Sequence, residues 1–178
     1  DRINQELSYV AERVTQKNGT RTIAFHDSNW GMYNQDKEVA EHIKLLIEQY
    51  DWPQWIECST PKNRKDRILA IDKLLDKRVG LALSQQSMNR TTLAEIKRDN
   101  YSNDEYLGFV KELQVRGKAP TCELIIPLPG ETEATYRDSV RMLMGEGVNV
   151  GTYTLMMLQG AELGRSNARE KFSLQSAF

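Results

Sequence analysis

The sequence predicts an α/β fold, a partial TIM-like (β/α) barrel with parallel strands and about five β/α units. Two observations predict it. Helical and strand-like periodicities alternate along all 178 residues, and such alternation implies parallel strands joined by right-handed crossovers. Several strand segments also carry aliphatic residues on one side and small or polar residues on the other. An open parallel sheet covered on both faces would be apolar on both.

The elements follow in order. Ile3, Leu7, Val10 and Val14 recur at helical spacing, so residues 3–17 read as an amphipathic helix closed by Asn18-Gly19. Residues 21–26 form a strand. Val39, Ile43, Leu46 and Ile47 share one face of a helix over 35–49, which Asp51-Trp52-Pro53 breaks. A strand over 55–60 leads to a helix over 64–76 with its stripe on Ile68, Ile71, Leu74 and Leu75, then to a strand over 79–84. Helical stretches at 91–98 and 103–116 end at Gly117. A strand over 120–127, a helix over 132–146 capped by Glu131 or Thr132, and a strand over 149–158 complete the alternation, and a short helix closes the chain. No stretch reads as a linker, so residues 1–178 are taken as one domain. With Asp1 in place of an initiator Met and a helix from the start, the chain reads as a piece of a longer protein.

Composition narrows the function. Apolar residues make up 39% and charged residues 28%, which suits a folded domain. The net charge of −1 lacks the basic bias usual in nucleic-acid binders, and no apolar run approaches a membrane span. Cys58 and Cys122 form no CxxC spacing and read as reduced buried thiols, consistent with a cytoplasmic protein.

Alternation along the strands points to a cavity. Ile56 and Cys58 oppose Glu57 and Ser59; Leu81 and Leu83 oppose Gly80, Ala82, Ser84 and Gln86; Leu124 and Ile126 oppose Glu123 and Ile125. The aliphatic sets suit a helix layer. The others recur in phase, and Glu57, Ser59 and Glu123 are expected to line a substrate cavity. Polar residues also gather where strands end: Asp27-Ser28-Asn29, Ser59-Thr60, Ser84 to Ser87, and the turn Pro127 to Glu131. Parallel α/β folds place their ligands at those ends.

Three segments then carry a resemblance. ELIIPLPGET (123–132) resembles the ELI-x-GLPGET signature of the radical S-adenosylmethionine enzymes. LSQQSMN (83–89) with IKRDN (96–100) is similar to that family's LSLQSMD…IKR-x-N. HDSNWGMYNQD (26–36) resembles DANFGMF-x-RD, a form found in members with a separate cobalamin-binding domain. The segments occur in the family's order. The resemblance implies a (β/α) barrel that binds S-adenosylmethionine beside a 4Fe–4S cluster, with cobalamin as a further cofactor of the subgroup. It implies reductive cleavage to a 5′-deoxyadenosyl radical that abstracts hydrogen from an unidentified, small-molecule or other substrate.

Carried over by position, Asp27, Ser28 and Asn29 would meet the ammonium of the cofactor, Ser84 and Gln86 its ribose, and Ile125, Gly130, Met156 and Leu158 its adenine. Pro127 stands where the family has a glycine and offers no N–H there. The family's CxxxCxxC loop does not occur in this sequence, so no metal ligand is assigned and the chain alone is expected to be inactive. Two other readings remain. One is an ordinary (β/α) lyase or aldolase, which would need a lysine or a carboxylate pair in the mouth. The other is a binding module without chemistry. The strand over 21–26 would have its outer edge bare, which predicts self-association.

Overall fold

A computed structural model describes residues 2–27, 29–61 and 64–176. The elements are α1 (Arg2–Gln16), β1 (Thr22–Phe25), α2 (Asn34–Tyr50), β2 (Trp55–Ser59), α3 (Lys65–Leu74), β3 (Val79–Ala82), α4 (Arg90–Glu95), α5 (Asn103–Val115), β4 (Thr121–Ile126), α6 (Glu133–Gly145), β5 (Asn149–Thr154), a 3₁₀ turn (Glu162–Gly164) and α7 (Ser166–Lys171). All pairings are parallel and the strand order is sequential, β1 to β5. A doubly wound sheet reverses its order at a switch point. Sequential order with right-handed crossovers instead puts the helices on one face, as in an arc of a barrel.

The core confirms this. Ile23, Phe25, Ile56, Cys58, Val79 and Leu81 pack with residues of α2 and α3 such as Ile43 and Ile71. Leu83, Cys122, Leu124 and Val150 pack with Phe109, Leu113 and Leu143 of α5 and α6. These strand residues alternate with Ala24, Glu57, Gly80, Glu123 and Gly151, so one face is sealed and the other forms the concave wall. Row by row across that wall, Ala24 pairs with Glu57 and Glu57 with Gly80; Ser59 pairs with Ala82, Ala82 with Thr121 and Thr121 with Asn149; Glu123 pairs with Gly151.

Local chemistry ends the helices. Asp36 accepts the backbone N–H groups of Gly31 (2.9 Å) and Tyr33 (2.8 Å) at the start of α2. Thr132, rather than Glu131, caps α6 by accepting the N–H of Thr135 at 3.2 Å.

Two expectations are corrected. On α1 the buried positions are Ala11 with Leu7 and Val14 half-buried, while Ile3 and Val10 are exposed. The alanine lets α1 sit close to Leu46 and Trp52, and the stripe turns accordingly. Second, the alternation expected through Gln86 breaks. Ala82 pairs with Thr121, but Gln86 pairs with Leu124, so the offset between the two strands shifts by one residue. Gln86 takes a left-handed conformation, φ 61°, at this slip. Its N–H donates to Glu123 O (3.0 Å) and its carbonyl accepts from Ile125 N–H (2.9 Å).

Candidate functional site

The carboxyl ends of the strands hold most of the residues singled out in the sequence. After β1, the Asp27 carboxylate accepts the N–H of Asn29 at 2.8 Å, a turn that folds the loop back. Trp30 then stacks on Phe25 with ring centroids 5.0 Å apart, and the backbone N–H of Trp30 donates to Ser59 O at 3.1 Å. The loop is thereby tied across the end of β2. Asp27 and Asn29 are exposed there, and Ser28 lies outside the described residues.

The ends of β3 and β4 form a second group. Ser84, 6% exposed, donates its hydroxyl to Glu123 Oε2 across the strand seam. Thus Ser84 and Glu123, assigned to different ligands from the sequence, are partners on one wall. Ser87 Oγ donates to Glu131 Oε1 at 2.9 Å. Asn100 donates to Gln85 O at 2.6 Å and so fixes the backbone beside Gln86. Gly130, at φ +76°, makes the turn toward α6, where a Cβ would meet Glu95 Cγ at 3.5 Å.

Two buried acceptors stand out in this group. Gln86 Oε1 and Glu131 Oε2 have no hydrogen-bond partner among the described residues. Burial also raises the Glu131 carboxyl above its ordinary value, against the lowering effect of Ser87 and Thr135. An unpaired buried acceptor is costly, so a donor-bearing ligand would find both atoms receptive. From the sequence Glu131 reads only as a helix cap, although it stands inside the PGET stretch that carries the resemblance.

The structure therefore gathers Ser84, Gln86, Glu123, Ile125 and Gly130, and leaves Asp27 and Asn29 two strands away from β3. Met156 and Leu158 lie beyond the end of β5 and are 72% and 59% exposed. Glu57 and Ser59 are exposed on β2. His42 Nε2 lies 2.8 Å from Ser8 Oγ, a helix-to-helix contact. Lys65 pairs with Glu112 at 2.9 Å, which commits it to the helix layer.

The sequence holds two cysteines, and among the described residues no group of three His, Cys, Asp or Glu could hold a metal. Nor is any helix of the described residues long and apolar enough to cross a membrane.

No family model matches the chain. Over 99% of its length, however, it is 25% identical to the cobalamin-dependent radical SAM methyltransferase TokK of Streptomyces tokunonensis, covering 26% of that protein. The chain is homologous to the radical S-adenosylmethionine enzymes. The fold of that family is matched in two solved structures. The radical S-adenosylmethionine methyltransferase TsrM of Kitasatospora setae, solved with cobalamin and a [4Fe-4S] cluster bound, superposes with a TM-score of 0.58 at 18% identity, over 80% of this chain and 27% of TsrM. Elp3 of Methanocaldococcus infernus gives 0.67 at 15% identity, over 90% of this chain and 43% of Elp3. The chain spans about a quarter of the length of TokK.

Proposed function

We propose that this chain forms the S-adenosylmethionine-binding arc of the barrel in a radical enzyme, with the ligand laid across the carboxyl ends of β1 to β5. The observation that carries this reading is the pair of buried, unpaired acceptors, Gln86 Oε1 and Glu131 Oε2, at the strand ends. S-adenosylmethionine brings ammonium and ribose hydroxyl donors, so its chemistry fits that demand. Asp27 and Asn29 would receive the amino acid end, with Ser28 beside them. Ser84 and Gln86 would receive the ribose. Ile125, Gly130, Met156 and Leu158 would flank the adenine. Below them Glu57, Ser59 and Glu123 would face the substrate, and the Ser84 hydroxyl would hold the Glu123 carboxylate in place.

When bound beside a reduced 4Fe–4S cluster, S-adenosylmethionine supplies a 5′-deoxyadenosyl radical that takes hydrogen from a substrate. The residues of this chain do not fit the cluster itself, and it is inactive alone in this reading. The likeness to TokK supports a cobalamin-dependent methyltransferase as the whole protein.

The test is calorimetric. In the full-length protein, Asp27→Ala and Gln86→Ala should each weaken S-adenosylmethionine binding about tenfold, since one lost polar contact costs about 1–3 kcal/mol. Cys58→Ala should leave it unchanged. Unaltered affinity in both the Asp27 and the Gln86 variants would remove the pocket from these strand ends.

A further inference from the structure

Among the described residues, β3 and its continuation meet the backbone of β4 at two bridges. At their amino-terminal ends the strands stand apart around a cavity of about 530 Å³. They pair at Ala82 and Thr121, and again where Gln86 meets Leu124. Gln86 is therefore the residue that holds the end of β3 to the wall.

The other side of β3 has lost its neighbour by that point. β2 ends at Ser59, which pairs with Ala82. The outward carbonyls of β3 beyond that row have no strand to face, and side chains supply the donors instead. Thr60 donates its hydroxyl to Ala82 O at 2.9 Å, and Asn100 donates its amide to Gln85 O at 2.6 Å. Gln85 and Asn100 are 3% and 7% exposed, so bulk water does not stand in for this donor.

The peptide joining Gln85 to Gln86 is thus held from both sides. Its N–H donates to Glu123 O at 3.0 Å, and its carbonyl accepts from Asn100. A planar peptide gripped at both groups has its orientation fixed. The next peptide is fixed by the Gln86 carbonyl, which accepts the N–H of Ile125 at 2.9 Å. The torsions left between the two planes are those of Gln86, whose φ is +61°. That conformation is unfavourable for any residue but glycine. The same residue carries the buried Oε1 that has no partner among the described residues. A strained backbone and an orphaned acceptor on one residue mark a side chain held ready for a ligand.

We propose that Asn100 is a positioning residue for that ligand. By holding the Gln85 carbonyl it keeps Gln86 left-handed, and so keeps Gln86 Oε1 at the strand ends. Without Asn100 the buried carbonyl has no donor, and the 85–86 peptide rotates to find one. That rotation releases the left-handed torsion and swings the Gln86 side chain away. Asn100 itself acts through Gln86. This role rests on the reading above only in taking Gln86 as a ligand residue.

Two double-mutant cycles test it, the first without ligand. The urea midpoint of the 178-residue chain is compared for Gln86→Ala and Gln86→Gly. Glycine takes the left-handed torsion freely, so Gln86→Gly should unfold at about 0.5 M more urea than Gln86→Ala. With Asn100→Ala added to both, that difference should vanish, because the released backbone is no longer left-handed. A difference of equal size in both backgrounds would show that Asn100 only satisfies a carbonyl, and would overturn the proposal. The second cycle measures S-adenosylmethionine affinity of the full-length protein by calorimetry. Asn100→Ala should weaken binding about tenfold, as Gln86→Ala does, and the double variant no further than Gln86→Ala alone. Losses that multiply, or unaltered affinity in Asn100→Ala, count against the role. Should Asn100→Ala not fold, Asn100→Leu fills the space without a donor and takes its place in both cycles. Unaltered affinity in Gln86→Ala would also overturn the role, whereas the reading above falls only if Asp27→Ala is silent too.

Discussion

Replacing Lys118 by Met should destabilise the chain by breaking a largely buried ion pair. The lysine side chain is 10% exposed and its partner Asp72 1% exposed. Their contact at 2.6 Å is an ion pair rather than an aligned hydrogen bond. Methionine keeps the volume and removes the charge, leaving the Asp72 carboxylate buried alone. Breaking a buried pair in this way costs about 3–5 kcal/mol. The carbonyls of Lys77 and Val79 lose a donor as well. Adding Asp72→Leu removes the stranded carboxylate and should restore most of the loss, with about 1–3 kcal/mol remaining for the carbonyls. Urea unfolding followed by tryptophan emission gives the comparison, read from the midpoint at unchanged slope. A loss below about 1 kcal/mol for Lys118→Met, or a double variant no better than the single one, would refute the reasoning.

Three further outcomes are expected. Glu131 has its folded value raised above the ordinary 4.5 by burial. The folded chain therefore holds that proton more tightly than the unfolded chain, and the stability this contributes is lost as pH rises through the folded value. Glu131→Gln should accordingly gain on wild type as pH rises above 4.5; a difference flat in pH, or growing toward acid, would sink this. Anaerobic iron–sulfide reconstitution of the 178-residue chain should yield no stoichiometric 4Fe–4S cluster, and a cluster lost on Cys58→Ala would contradict it. Finally, β1 pairs only with β2 among the described residues, so light scattering should show concentration-dependent association. A strict monomer with fast amide exchange at 22–25 would reject edge pairing.

The alternation of elements was legible because each helix carries its apolar residues at one period and each strand at another. Leu83 and Leu124 fall on the helix side as their spacing requires. Sequence reasoning failed where a backbone or a distant partner decides. Gln86 was placed in phase with Ser84 by counting residues, and a left-handed residue cannot be counted through. Ala11 rather than Val10 is buried because closeness to α2 outweighs apolar size. Lys118 drew no notice, for nothing in Gly117-Lys118-Ala119-Pro120 announces a partner 46 positions earlier. Glu131 reads from the sequence as a helix cap and not as a ligand group, since its buried oxygen is visible only once β3 and β4 are side by side.

The slip between β3 and β4 connects the two ends of the wall. Lys118 takes up carbonyls at the start of β3 instead of a β4 backbone neighbour, and the strands stand apart there. They meet at Ala82, and one residue is then gained before Gln86 rejoins the ladder. Ser84 faces Glu123 by the offset that Ala82 and Thr121 set, and the extra residue falls after it, so that the backbone of Gln86 rejoins at Leu124. A continuous strand would have paired Gln86 with Ile125 instead, by the offset that Ala82 and Thr121 set. One irregular seam thus leaves a cavity below and gathers polar side chains above. The physical reason is that neither opening is compatible with a fully paired ladder, whose backbone groups would satisfy one another. Polar side chains that replace ladder partners, Lys118 at one end and Asn100 beside Gln86 at the other, are what the chain spends to keep the seam open.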